Sequence, residues 1–346
     1  MRLTEPGLLI LQVHATRKCN LRCLHGCSSS GTEHADEIHL DVLRHAIAEA
    51  AELGYKTLSV SGGEPLLYSG LVETLAEARI HGLETTLQTN GLLLSEARIA
   101  ALQSLVDMVA INLEGAPNCA NRTRPVDGVL DAIQANLSAV RAAKLPFSVV
   151  FTLTRDNLGD LPWVADFAHD QGAAMLDVRP MERVGRGPEL ADLVPTDKGA
   201  ALAWLMVELL RQRHHGELPI RFDMYDRGTS ASPARKWLAA KPLVPSPLVI
   251  ETDGTVVPFR YGFPRRFAVG NVNDGSLVRL LRTWESRCGE ALREIARETV
   301  QQLSKPRQFP FVNFYEHLCQ QAEASTLSTY VGEDAEDSCW QTACCG

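Results

Sequence analysis

The sequence predicts an α/β fold: a partial (β/α)6 parallel barrel followed by a small C-terminal α+β accessory domain. Three observations predict it. Short β-rich runs alternate with helix-length segments from residue 8 to about residue 213, the alternation stops beyond that point, and the unusual polar and glycine motifs fall where strands end. Alternation of this kind makes a parallel sheet with right-handed crossovers. Six units are two short of a closed eight-strand barrel, so the barrel is open.

The elements follow in order. Leu8 to Val13 is a continuous apolar run of strand length, and Leu43, Ile47, Ala50 and Ala51 share one helix face that Gly54 closes. Thr57 to Ser61 is the second strand and ends in two glycines; Ser69 is placed to cap a helix carrying Leu71, Val72, Leu75 and Ala78. The pattern continues through strand Glu84 to Thr89, a helix from Ser95, strand Val106 to Leu113 and helix Val129 to Ala143. It ends with strand Phe147 to Leu153, helix Leu161 to Gln171, strand Met175 to Arg179 and helix Thr196 to Gln212.

The barrel is assigned to residues 1–215, a linker to 216–246, the accessory domain to 247–330 and an acidic, cysteine-rich tail to 331–346. Residues 227–247 are rich in Pro, Ser and basic residues, as loops are. Val249 to Glu251 and Thr255 to Pro258 flank Asp253-Gly254, a strong hairpin signal, and a helix carrying Leu277, Leu280 and Leu281 follows.

Composition narrows the function. With 45% hydrophobic and 22% charged residues the chain has material for a large core, and a formal charge of -8 argues against binding nucleic acid or anionic membranes, which need a basic field. No apolar run is long enough to cross a bilayer and Met1 to Thr4 is too short for a signal peptide, so a cytoplasmic location is expected. In a reducing compartment, nine cysteines clustered at the two ends point to metal or redox chemistry rather than to disulfides.

The chemistry concentrates at strand ends, where open α/β sheets bind ligands. Cys19, Cys23 and Cys27 follow the first strand, Gly62-Gly63-Glu64-Pro65 the second and Asn90-Gly91 the third; Asn112 and Glu114 end the fourth, Thr152 and Thr154 the fifth, and Arg179 the sixth. Three thiolates on one loop can hold three irons of a cluster and leave a fourth open for chemistry. The same thiols also fit a structural zinc knuckle closed by His14 or His25.

These residues carry a family resemblance. His14 to His25 followed by Ser28-Ser29-Ser30-Gly31, Ser61-Gly62-Gly63-Glu64-Pro65, Thr89-Asn90-Gly91 and Arg183-Val184-Gly185-Arg186-Gly187 resemble the cluster loop and strand-end motifs of radical S-adenosylmethionine enzymes. The resemblance implies a 4Fe-4S cluster on Cys19, Cys23 and Cys27 and S-adenosyl-L-methionine on its open iron. It implies that Gly62, Gly63 and Glu64 take the methionine ammonium and Arg179 its carboxylate, with Asn112 and Glu114 on the ribose and Thr152, Thr154 or Asn157 near the adenosine. In the family's usual spacing the third thiol stands where this chain has Gly26, and an aromatic follows where it has Cys27. We expect Gly26 to take positive φ and fold the longer loop back towards the third iron.

Ile250 to Pro258 and Val269 to Val272 are similar to the accessory domain of peptide- and cofactor-maturing members, with Phe259 where those relatives carry a cysteine. The implied substrate is a ribosomally made peptide, or alternatively a small molecule or metalloid, with flavodoxin or ferredoxin as electron donor. From another class, an inert metal-binding or regulatory protein fits the same scaffold. Cys339, Cys344 and Cys345 in the tail suggest a second soft-metal site, and Cys119, Cys288 and Cys319 read as buried small hydrophobes.

Overall fold

The computed structural model describes residues 9–117, 128–226, 244–303, 305 and 311–325. Strands β1 (Ile10–His14), β2 (Thr57–Ser61), β3 (Glu84–Thr89), β4 (Met108–Asn112), β5 (Phe147–Leu153) and β6 (Met175–Pro180) lie side by side in sequence order, every neighbour parallel. Helices Leu40–Glu52, Leu71–Ile80, Glu96–Leu102, Val129–Ala142 and Leu161–Asp170 provide the crossovers. The predicted α/β barrel is therefore present, and the sheet is longer than expected. A seventh parallel strand, β7 (Ile220–Phe222), follows helix Asp197–Arg213 and extends the β6 edge. Its brevity hid it from any periodicity argument.

Strand register explains the division of labour between the two sheet faces. Leu58, Val60, Leu87, Ile111, Val149, Phe151, Leu176 and Val178 are buried in the apolar core. The alternate positions Gln88, Asn112, Asp177, Arg179 and Arg221 fall on the opposite face, through the pairings Gln88 with Ala110, Asn112 with Val150, Val150 with Asp177, and Asp177 with Arg221. The barrel interior is therefore polar towards the C-terminal strand ends.

The predicted hairpin, β9 (Leu248–Ile250) and β10 (Thr255–Pro258), joins this same sheet. Strand β9 runs parallel to β1, and β10 with β11 (Gly270–Asn271) continues the sheet outward. Helix Leu277–Leu303 packs behind it with Trp284 fully buried, the indole N–H donating to the Phe267 carbonyl at 2.9 Å. Glu49 of the first barrel helix accepts the Leu277 N–H at 2.6 Å, tying this layer to the barrel. A short antiparallel pair, β8 (Tyr225–Asp226) with β12 (Phe311–Val312), and helix Phe314–Ala324 complete the described fold. Cys288 and Cys319 are buried here, and burial pushes the Cys319 thiol up to about 12. Cys119, Cys339, Cys344, Cys345 and residues 227–243 of the expected linker lie outside the described residues.

One expected cap differs. Gly70, not Ser69, occupies the N-cap of helix Leu71–Ile80, and the Ser69 hydroxyl donates to the Glu37 carboxylate at 2.6 Å. An anionic acceptor is the stronger partner for that hydroxyl.

Candidate active site

The loop after β1 carries Cys19, Cys23 and Cys27 and is held by hydrogen bonds from four other strand ends. Gly63 N–H donates to Thr16 O at 2.7 Å and Glu64 N–H to Lys18 O at 2.9 Å, so the Gly-Gly-Glu-Pro turn lies flat on the cysteine loop. That approach explains both glycines. A Cβ on Gly62 would stand 2.6 Å from Thr16 O, and one on Gly63 2.3 Å from Lys18 O. Gly62 also has φ +135°, a conformation L side chains rarely adopt.

From the β3 end, Asn90 donates to the Asn20 side chain at 2.8 Å. From the β4 end, Glu114 Oε2 lies 3.1 Å from His25 Nε2. From beyond β6, Arg186 donates to the carbonyls of Cys23 at 2.9 Å and Ser30 at 3.1 Å. The loop is thus locked to the sheet on several sides before any ligand binds.

Glu64 is completely buried, and its carboxylate accepts from Leu66 N–H at 3.2 Å, Thr89 Oγ1–H at 2.7 Å and Asn90 N–H at 2.9 Å. It orders the second- and third-strand ends together. Asn157 is buried and braces the next two strand ends, donating to Glu114 O at 3.1 Å and Thr152 O at 2.8 Å while accepting from Thr154 N–H at 2.7 Å. Thr154 is buried and Thr152 half-buried beside it.

Across the barrel interior, a polar chain links the remaining residues. Asn112 Oδ1 accepts from Gln88 Nε2 at 3.3 Å, Gln88 Oε1 accepts from Arg179 Nη1 at 3.3 Å, and Arg179 Nε donates to Asp177 at 2.7 Å. Arg221 of β7 donates to the same carboxylate at 2.8 Å. Burial alone would raise the Asp177 carboxyl, but the two guanidiniums outweigh it and hold the group below the usual carboxylate range. At the end of β7, burial and the Asp177 charge push Asp223 up.

Gln88, Asp177, Arg221 and Asp223 were not singled out from sequence. A signal for Asp177 existed: a lone acid in the apolar run Met175-Leu176-Asp177-Val178, two residues from Arg179, sits on the same strand face as that arginine and needs a cation when buried.

Gly26 departs from expectation. It does not adopt positive φ; Ser29, at φ 49°, is the left-handed residue of the loop. Successive turns, Gly26 N–H to Cys23 O at 3.2 Å and Ser29 N–H to Gly26 O at 3.3 Å, accommodate the extra residue instead.

The donor set fits an iron-sulfur cluster. Three thiols sit on one loop outside any disulfide, and Leu21 N–H donates to Cys19 Sγ at 3.4 Å, the kind of bond that stabilises a thiolate. Among the described residues no three His, Cys, Asp or Glu side chains are set to grip a single ion. Of the two histidines that could close a zinc knuckle, His25 faces Glu114, and the buried His14 ring packs on Tyr261 at 4.5 Å. A cluster makes a different demand, since each thiolate binds its own iron.

Sequence and structure comparisons relate the chain to known proteins. The profile of the Radical SAM superfamily matches residues 13–168. The PqqA peptide cyclase of Ruegeria pomeroyi is 30% identical over 264 residues, 74% of this chain and 68% of that protein. The AdoMet-dependent heme synthase of Methanosarcina barkeri is 31% identical over 193 residues, 55% of each chain. The match thus spans about half to two thirds of the length of these relatives. The fold is shared with native anSMEcpe solved with bound AdoMet and Cp18Cys peptide, at a TM-score of 0.65 and 16% identity over 93% of this chain and 97% of that one. It is shared as well with Streptococcus suis SuiB bound to the precursor peptide SuiA, at a TM-score of 0.60 and 14% identity over 73% and 60%.

A parallel barrel with a cysteine loop and a glycine-rich second turn at its C-terminal mouth defines the class of radical S-adenosylmethionine proteins. The chain belongs to the radical SAM superfamily. Its cofactors are those of the family, a 4Fe-4S cluster and S-adenosyl-L-methionine. No helix among the described residues is long and apolar enough to cross a membrane.

Proposed function

We propose that the chain holds a 4Fe-4S cluster on Cys19, Cys23 and Cys27, cleaves S-adenosyl-L-methionine reductively, and directs the radical at a ribosomally made peptide. Held by these three thiolates, the cluster would supply one-electron reducing chemistry to bound S-adenosyl-L-methionine. The protein's part is orientation. Gly62 and Gly63 bring main chain up to the methionine, and Arg179, aimed by Asp177 and Gln88, offers its guanidinium to the carboxylate. Asn112 and Glu114 serve the ribose, and Thr152 and Thr154, braced by Asn157, face the adenosine. A flavodoxin or ferredoxin supplies the electron.

The observation that carries this reading is the locking of the cysteine loop onto four strand ends of one parallel sheet. The peptide substrate is supported by similarity to the PqqA peptide cyclases. Incubating reconstituted protein with AdoMet, dithionite and a short peptide encoded beside its gene should give 5'-deoxyadenosine together with a mass change in the peptide. Deoxyadenosine without peptide modification would retire the peptide assignment alone.

A second reading, a small-molecule substrate, is favoured by similarity to proteins named AdoMet-dependent heme synthase and Fe-coproporphyrin III synthase. An iron porphyrin consumed in the same assay would select it.

A further inference from the structure

We propose that Arg186 is a positioning residue that fixes the Cys23 to Cys27 segment, and that position 26 is glycine to admit it. The inference rests on the assignment of the cluster to Cys19, Cys23 and Cys27.

Arg186 lies in the segment after β6, far from the cysteine loop in sequence. Its main-chain N–H donates to Gly26 O at 3.2 Å, its Nε to Cys23 O at 2.9 Å and its Nη1 to Ser30 O at 3.1 Å. One residue therefore ties down three carbonyls of the short stretch that carries the second and third thiols. A guanidinium suits this task because its donors leave a rigid plane in fixed directions, which an ammonium cannot reproduce. The fit leaves no slack. A Cβ on Gly26 would stand 2.5 Å from Nη2 and 3.2 Å from Cζ. The neighbouring Gly185, at φ +61°, presses equally close: a Cβ there would stand 2.2 Å from Cys27 O.

The extra residue between Cys23 and Cys27 gives the arrangement a purpose. A longer loop has more conformations from which to present its thiol, and closing it onto one geometry costs entropy. Charge-assisted hydrogen bonds from a group in the segment after β6 offset that cost. Hydrogen bonding around a cluster tunes its potential, and these bonds hold the main chain that carries two of its ligands.

The test uses the full chain as wild type, Arg186→Ala, Arg186→Lys, Gly26→Ala and the Arg186→Ala/Gly26→Ala double variant. Thermal unfolding by circular dichroism serves as the folding control. Two readouts follow: alkylation rates of Cys23 and Cys27 in the metal-free protein, and iron, sulfide and reduction potential after anaerobic reconstitution. Removing a charge-assisted hydrogen bond should speed alkylation by about tenfold in Arg186→Ala. The same variant should lose most of its cluster, with any retained cluster reduced at a more negative potential. Arg186→Lys should fall between it and wild type. The double variant should resemble Arg186→Ala alone, because without the guanidinium the new methyl group has nothing to displace. Wild-type alkylation rates, iron content and potential in folded Arg186→Ala would overturn the proposal. Should that variant fail to fold, unchanged readouts in Gly26→Ala and Arg186→Lys would do the same. Faster alkylation in the variants of a wild type that takes up no cluster would preserve the clamp and overturn the cluster assignment instead.

Discussion

Arg179 and Asp177 stand two residues apart on β6, on the same face, with Arg179 Nε 2.7 Å from the Asp177 carboxylate. Asp177 is buried, while the two arginines it holds, Arg179 and Arg221, each keep more than a third of their side chains in solvent. The acid is therefore the fixed point that holds both guanidiniums.

Asp177→Asn should loosen that hold. Breaking a buried pair costs 3 to 5 kcal/mol, but both guanidiniums can be hydrated here, so we expect a loss nearer about 1 to 2 kcal/mol. The Michaelis constant for AdoMet should rise with kcat less affected, which steady-state kinetics would separate. The depressed carboxyl also sets a sign for pH: its stabilisation is complete above the ordinary carboxylate range and disappears as pH falls through the lower folded value. Asp177→Asn should therefore flatten the acid limb of a stability profile.

His14 predicts a second pH dependence at higher pH. Burial lowers its pKa from 6.5 to about 4, so the folded state resists protonation that the unfolded chain accepts. Stability from this group is present above pH 6.5 and falls as pH drops from there to about 4. At about 1.4 kcal/mol per pH unit the full effect is about 3 kcal/mol. His14→Phe, which keeps a ring against Tyr261, should remove that slope in denaturant titrations between these limits.

Gly62→Ala should damage the site through its backbone. The new methyl would meet Thr16 O at 2.6 Å in a positive-φ conformation, so the turn must lift off the cysteine loop. We expect about 1 to 3 kcal/mol of destabilisation and a matching fall in AdoMet affinity, measurable by calorimetry.

Six strands and their order were legible in the sequence because each is a five- to seven-residue run with β-branched or apolar residues at successive or alternate positions between turns. Strand β7, three residues long, has no such signature, so nothing local marks Arg221 or Asp223. Glu64 shows a different limit. Its position at the strand end was evident, but whether a carboxylate faces ligand or main chain depends on donors supplied by Thr89 and Asn90, which only the folded sheet brings near. Gly26 was recognised as the place where the loop differs, while the reason for its missing side chain lay on Arg186, 160 residues away. Long-range approach of this kind leaves no local pattern to read.

We propose that Cys19, Cys23 and Cys27 hold a cluster able to cleave AdoMet despite the shifted third thiol. Anaerobically reconstituted protein given AdoMet and dithionite tests it directly, with 5'-deoxyadenosine measured for wild type and Cys27→Ala. We expect turnover in the wild type and its loss in the variant, together with the cluster's iron, sulfide and visible absorption. No deoxyadenosine from the loaded wild type, or undiminished formation by Cys27→Ala, would contradict it.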